Sequence, residues 1–423
     1  MPQKHAAKKH SRAAVTPKEA LEPTSSPFDE YFETVFGFDR WHASLKPAMA
    51  APPRHASMRM PYTEDGSDEV VCAATTATPA KTHVRRQLIE TASTNAKDIM
   101  EALFDAYVLD VASIVCACAL GAQPGEKVLD MCSAPGGKAL ALATDMFPWQ
   151  RWVETDVAND TAAASDDDDD VSSSPRGSVA HESDVVDDEL GPAAPLAVKQ
   201  PFTSESHLTC SEASAERRQR LARTLREHLP SRLFQWRNIR VANDVTDGAE
   251  WAHKAPSIFH RVLLDAPCTS ERHLVRQAAS RGGGGGGLMH VDWSVARCRR
   301  DAERQVKLLM AALRAVRVGG VVVYATCSIS PAENDAVVRK VLMRCATDGE
   351  VEVCEDAGLG AAGTLDKDLP EVATREQVCA WMASRCETTP CGGRIALPDR
   401  CDGFGPLFWC RLLKIKPIVE QRS

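Results

Sequence analysis

The 423-residue chain is 44% hydrophobic and 26% charged, with a formal net charge of −8; that balance suits a packed core and either one large domain with appendages or two domains. No run of 18 or more apolar residues occurs, which excludes an ordinary transmembrane helix. The fifteen cysteines follow no secretory-type leader and show no paired CxxC spacing, so they read as reduced, mostly buried thiols rather than a disulfide framework or a zinc site.

Residues 1–18 carry four lysines, one arginine and no acid. A mitochondrial presequence and a disordered basic tail both fit that composition, and residues 1–27 are assigned to such a segment. Residues 28–49 hold six aromatics and predict a helical segment docked on the main domain. Residues 50–97 read as loop-rich with one or two strands, completing an N-terminal extension over 28–98. A main domain is expected over 99–418. It begins with a buried helix from Asp105 to Gly121, in which the CAC of 116–118 is apolar filling. EKVLDMC (126–132) is a short apolar strand, and GGKALALAT (136–144) opens a helix.

Residues 154–190 contain thirteen acids and only Arg176 as a base, a net of −12; against −8 for the whole, the remainder of the chain is mildly basic at +4. This tract lies in a low-complexity insert at about 150–205, too polar to fold. Order resumes with HLTCSE (strand), ASAERRQRLARTLREHL (helix), NIRVAND (strand) and HRVLLDAPC (strand). A second insert at 277–290 includes six consecutive glycines. A helix over 292–317 and the strand VGGVVVYATC (318–327) follow. Alternating strands and helices predict an α/β fold, a doubly wound, mostly parallel sheet interrupted by two inserts. The clusters RRQRLARTLR (217–226) and RCRRDAER (297–304) are either solvated helix faces or phosphate contacts, so nucleic acid is an admissible partner.

Three features carry chemistry. VLDMCSAPGGK follows a strand and opens a helix, so Gly136 and Gly137 either bring backbone amides close to a ligand or make a tight turn. Glu212, Asp247 and Asp265 fall just past strand ends. In a nucleoside-binding sheet they would meet ribose, adenine and a ligand ammonium or base edge in turn; the alternative for each is a helix cap or a solvated acid. Cys268 (PCT) and Cys327 (TCS) also end strands, where neighbouring thiols can share one cleft, or serve only as filling.

DMCSAPGGK, DAPCTSERH and YATCSISPAENDAVV resemble the signature motifs of the NSUN (Sun-domain) RNA cytosine-5 methyltransferases, which include bacterial RsmB. ERH after PCTS, FDEYFETVFG…W and FGPLFWCRL resemble the mitochondrial rRNA branch. The resemblance covers the ordered parts of 28–60 and 100–417. It implies a Rossmann-like fold binding S-adenosylmethionine. Cys132, Ser133, Ala134, Pro135, Gly136, Gly137 and Lys138 would hold the methionine end, Glu212 the ribose, Asp247 with Gly248 the adenine side, and Asp265 the reaction centre, with Arg217 beside the cofactor. The family usually has Asp where this chain has Glu212, and Asp156 in RWVETD rivals it as the ribose acid. The resemblance gives Cys327 the attack on cytosine carbon 6 and Cys268 the release of product. Asp265 is the candidate acid at ring nitrogen 3. It further implies an RNA substrate, rRNA above all, a partner protein supplying RNA affinity, and a mitochondrial location. A DNA cytosine-5 methyltransferase would use the PC-motif cysteine as nucleophile instead, and an inactive RNA-binding assembly factor would keep only the fold.

Overall fold

The computed structural model describes residues 26–62, 69–72, 106–148, 205–281, 291–345, 350–354 and 369–418. The acidic insert, Asp156 and the glycine run lie outside them. Among the described residues, thirteen strands form two sheets. The strands in chain order are β1 (Ala56–Arg59), β2 (Glu69–Cys72), β3 (Ala106–Leu109), β4 (Lys127–Asp130), β5 (His207–Ser211), β6 (Ile239–Ala242), β7 (Phe259–Asp265), β8 (Val316–Thr326), β9 (Val351–Val353), β10 (Val372–Thr374), β11 (Glu387–Thr388), β12 (Arg394–Ala396) and β13 (Leu407–Lys414). Among the described residues, the helices of ten or more residues are α1 (Pro27–Phe36), α2 (Val111–Leu120), α3 (Gly137–Met146), α4 (Ala215–His228), α5 (Glu271–Arg281), α6 (Val295–Ala315), α7 (Asp335–Arg344) and α8 (Arg375–Arg385).

The large sheet has the order β11-β12-β13-β8-β7-β4-β5-β6, with β9 on β13. Its centre, β8-β7-β4-β5-β6, is parallel as the alternating pattern predicts. These strands are short apolar runs because helices cover both faces. On one face Ile114, Leu140, Leu225 and Trp381 join one core; on the other Phe32, Trp41, Leu309 and Val338 join a second. The antiparallel addition of β13, β12, β11 and β9 is not foreseen by the sequence.

The segment expected to be one helix from Asp105 is strand and helix. Ala106–Leu109 pairs with β1, and Asp110 then caps α2 by accepting from the Ala112 amide at 2.8 Å. The aromatic and β-branched run YVL favours the strand, and the capping acid marks the true helix start. Gly121, at φ 66°, ends α2 as read from the sequence. The small sheet, β10-β2-β1-β3, takes strands from both sides of the boundary expected near residue 98. The second insert starts later than residue 277, because α5 continues to Arg281.

Helix α1 docks where the sequence places it. Phe28 meets Trp293 edge-on and Tyr31 packs tilted against it, with ring centroids 5.5 and 4.9 Å apart, and the Tyr31 hydroxyl lies 3.0 Å from Ser330 Oγ. None of the described helices is long and apolar enough to cross a membrane.

Strand β8 bends where its register against β7 shifts between Phe259 and Arg261. A Cβ on Gly320 there would lie 2.6 Å from the His260 carbonyl oxygen. Gly320→Ala is therefore expected to cost about 1–3 kcal/mol, read as a lower urea midpoint at unchanged slope; an unaltered midpoint would contradict this close approach.

Candidate active site

The parallel strands change winding direction between β4 and β7, and it is at such switch points that open α/β sheets bind ligands. Strand β4 ends in Asp130 and feeds the turn to Gly136. Strand β7 ends in Asp265 and leads to Cys268, while β8 ends in Thr326 and delivers Cys327. A cavity of about 230 Å³ is lined by Cys132, Ser133, Ala134, Pro135, Gly137 and Lys138, together with Asp130 and Asp265. A second, of about 390 Å³, reaches Cys327, Ser270, His273 and Arg276. Both are lined by Asp110, Ser113, Lys138 and Asp265, so these residues stand between the glycine loop and the thiol.

The glycines have a packing reason. Gly136 sits at φ 118°, and a Cβ there would press within 3.1 Å of Thr224 Cγ2 on α4. A Cβ on Gly137 would approach Tyr107 Cε1 at 3.0 Å. Bare backbone thus lets α3 start against α4 and β3, and the turn places Lys138 inside the crevice.

Lys138 Nζ lies 2.9 Å from Asp265 Oδ2 and 3.2 Å from Ser113 Oγ. Burial pushes this ammonium down, but Asp265 and nearby thiols outweigh burial and the net direction is up, so Lys138 stays charged. Asp130, fully buried, is pushed up to about 7 chiefly by burial, with Asp265 and Glu212 adding to the rise. Its Oδ2 accepts from Ser133 at 2.7 Å, whereas Oδ1 has no hydrogen bond.

The two strand-end thiols meet. Cys268 Sγ and Cys327 Sγ are 3.2 Å apart, and Ser270 Oγ lies 3.1 Å from Cys327 Sγ but 3.6 Å from Cys268 Sγ. The hydrogen bond from Cys268 lowers the Cys327 thiol, Ser270 adds to that, and burial opposes both. Cys268 is pushed well above the thiol range, by its contact with Cys327 first and then by burial. The pair therefore holds one thiolate more readily than two, on Cys327. Burial drives Cys132 upward, leaving it a neutral thiol.

The other expected residues are placed as follows. Glu212 is buried just past β5; Oε1 accepts from the Ser214 amide at 3.0 Å, while Oε2, without a hydrogen bond among the described residues, lies 3.4 Å from Arg217 Nη2. Arg217 also donates to the Ala134 carbonyl at 2.9 Å, tying Glu212 to the glycine loop. Asp247 is exposed and caps the short 3₁₀ turn Gly248–Glu250 through the Ala249 amide. It lines neither cavity. A Cβ on Gly248 would sit 2.9 Å from Leu308 Cδ2, so this glycine admits α6.

Residues 198–365 match the family model for the 16S rRNA methyltransferase RsmB/F. This stretch, less than half of the chain, is similar to that family's methyltransferase domain. It is 27% identical over 320 residues to the 5-cytosine rRNA methyltransferase NSUN4 of Xenopus laevis, covering 74% of this chain and 57% of that protein. It is 26% identical over 319 residues to the Bos taurus protein of the same name, covering 74% and 60%. It is 24% identical over 308 residues to the mitochondrial tRNA (cytosine(34)-C(5))-methyltransferase of Mus musculus, covering 73% and 63%. The chain thus spans about 57–63% of the length of these relatives. The crystal structure of PH0851 aligns with 92% of this chain and 65% of its own length, at TM-score 0.50 and 17% identity, a likeness of fold.

Among the residues of the crevice, sequence reasoning missed Ser270, Ser113 and Asp110. Ser270 carries a left-handed φ of 54°, a conformation that non-glycine residues adopt rarely and often at functional turns; its position in PCTSERH is the only signal in the sequence. Removing its hydroxyl withdraws a donor from the Cys327 thiolate. Ser270→Ala is expected to raise the apparent pKa of Cys327 and slow its alkylation by iodoacetamide at pH 7 by up to about tenfold. An unchanged rate-against-pH profile, followed by mass spectrometry of the Cys327 peptide, would remove Ser270 from the site.

Proposed function

We propose that the protein is an S-adenosylmethionine-dependent RNA (cytosine-5)-methyltransferase in which Cys327 attacks carbon 6 of the target cytosine. The observation that carries this reading is the 3.2 Å contact of Cys268 with Cys327, at the mouth of a crevice that also holds Lys138 and Asp265.

The residues fit the cofactor. Glu212 Oε2 and Asp130 Oδ1 are buried acceptors without hydrogen bonds, matching the need of ribose hydroxyls and of a cation for acidic partners. The cavity by the glycine loop has acids Asp130 and Asp265 on its wall. Cys132 to Lys138 would hold the methionine end, Glu212 the ribose and Arg217 the loop itself. Asp247 would serve the adenine side only by leaving its cap. When bound, S-adenosylmethionine supplies an electrophilic methyl group.

Cytosine carbon 5 is a weak nucleophile. Addition of the Cys327 thiolate at carbon 6 makes carbon 5 enamine-like and able to take a methyl group, splitting one hard step into two. The two neighbouring donors, Cys268 and Ser270, favour the thiolate. Proton supply at ring nitrogen 3 assists attack; Asp265 is ion-paired with Lys138, so the pair, and not a lone carboxylic acid, faces the base. After methyl transfer a base takes the carbon 5 proton, the electrons of that bond form the C5–C6 double bond, and Cys327 departs as thiolate by β-elimination. Cys268, one sulfur away, assists this release. The base must be unstacked to enter the cavity.

The names of the relatives support rRNA as substrate, and the mitochondrial name of one of them, with the basic first residues, supports a mitochondrial location. A partner protein that adds RNA affinity belongs to the same reading.

Cys327→Ala should form no covalent RNA adduct. Cys268→Ala should attack and methylate but stall at elimination, accumulating an adduct that survives a denaturing gel. The double variant should form none. A DNA-type mechanism reverses the single-variant pattern, and filler thiols give no adduct in any variant, so an adduct from Cys327→Ala alone would overturn the assignment.

A further inference from the structure

Beneath the two thiols lies a buried polar knot that the reaction scheme does not use. Thr269 follows Cys268 in sequence, and Ser328 follows Cys327. The Thr269 hydroxyl is hydrogen-bonded to both Glu271 Oε1 and Glu333 Oε1. Ser328 Oγ lies 3.1 Å from the same Glu271 oxygen and 3.2 Å from the same Glu333 oxygen. Both glutamates have zero exposure. The outer oxygens are satisfied by neutral donors: the Ile329 amide at 3.1 Å on Glu271 Oε2, and the Thr269 amide at 3.1 Å with Gln305 Nε2 at 2.8 Å on Glu333 Oε2. Trp293 Nε1 reaches Glu271 Oε1 at 3.3 Å. Among the described residues, no cation forms an ion pair with either carboxyl.

Two hydroxyls own two protons, yet they make four oxygen–oxygen contacts with the carboxyls. If both glutamates were ionised, two contacts would set lone pair against lone pair and two buried negative charges would face each other without a counterion. One extra proton removes one of the two opposed contacts and one of the two facing charges.

We propose that Glu271 and Glu333 share a single proton and act as one singly charged positioning unit that holds the Cys268 and Cys327 loops together. The proposal deepens the methyltransferase reading, because the unit sets the spacing of the two thiols on which that reading rests. Burial, and for Glu271 the facing Glu333, raises each carboxyl above its usual range, in keeping with a retained proton. The titratable groups around the pair are Tyr31 from α1, Cys298 and Asp301 from α6, Tyr324 from β8, and the two thiols themselves. Cys298, pushed up to about 12 by burial, and the tyrosines, pushed up likewise, stay neutral through the carboxyl's range.

The sign follows from linkage. A carboxyl whose folded pKa is raised contributes stability that is full below the unfolded value and is lost as pH rises through the folded value. A glutamine at either position supplies permanently the N–H that the shared proton supplies conditionally, and leaves the other carboxyl as the single charge.

The test uses the full chain without RNA or cofactor, so its outcome is independent of the adduct experiment. In wild type, the melting temperature should fall as pH rises from the ordinary carboxylate range through the pair's raised pKa. Glu271→Gln and Glu333→Gln should fold, show a shallower decline than wild type, with the remainder coming from Asp130, Asp110 and Asp145, whose carboxyls burial also raises, and keep Cys327 alkylation within about threefold of wild type. Glu333→Ala strands the Thr269 and Gln305 donors and should slow Cys327 alkylation by about tenfold or more, with Glu333→Gln as the rescue. Equal pH dependence in wild type and both glutamine variants would overturn the shared proton. So would failure of both glutamine variants to fold, which would mean that both carboxylates must be charged. Normal Cys327 reactivity in Glu333→Ala would overturn the positioning role.

Discussion

Two sulfur atoms 3.2 Å apart set the demands on the rest of the site. They come from adjacent parallel strands, whose backbones run about 4.8 Å apart, with Asp265 of β7 beside Ala325 of β8. Cys327 leaves β8 directly, but Cys268 lies three residues beyond the end of β7 and must be folded back. The left-handed turn at Ser270 and the anchoring of the Thr269 amide on Glu333 do this. Contact between the sulfurs lets the pair hold one thiolate, and Ser270, 3.1 Å from Cys327 Sγ but 3.6 Å from Cys268 Sγ, makes them chemically unequal by favouring it on Cys327. Two identical side chains gain different tasks from geometry alone.

Across the crevice the Lys138–Asp265 pair forms the wall common to both cavities. Acids dominate the side by the glycine loop, whereas the mouth on the thiol side bears His273 and Arg276, both exposed. Such a gradient suits the proposed pair of ligands, a cationic methyl donor on one side and a polyanionic strand on the other. Exposed Arg217, Arg220, Arg223 and Arg226 along α4 add to the positive surface.

The central strands were legible because burial on both faces leaves continuous apolar runs such as VLLD and VVVYAT, each followed by a helix start. The same pattern located Asp265, Cys268 and Cys327 at strand ends. What stayed hidden was non-local. YVLD reads as the start of a helix until β1 is there to pair with it. The antiparallel edge depends on β13 returning to β8, which no short window reveals. Gly136 and Gly137 were read as freeing backbone for a ligand or as a tight turn, and the structure shows them admitting α4 and Tyr107. Asp247 carried two readings, ligand and cap; its side chain caps. Glu271 and Glu333 stood in the quoted motifs, but nothing local says that they meet.

The most direct test of the central claim identifies the sulfur that bonds to the base. A target RNA carrying 5-fluorocytidine replaces the carbon 5 proton with fluorine, so elimination is blocked after methyl transfer and the enzyme stays attached. Incubated with S-adenosylmethionine, digested and read by mass spectrometry, the wild-type protein should carry the methylated fluoropyrimidine on the peptide containing Cys327. Attachment through the peptide containing Cys268 would contradict the account.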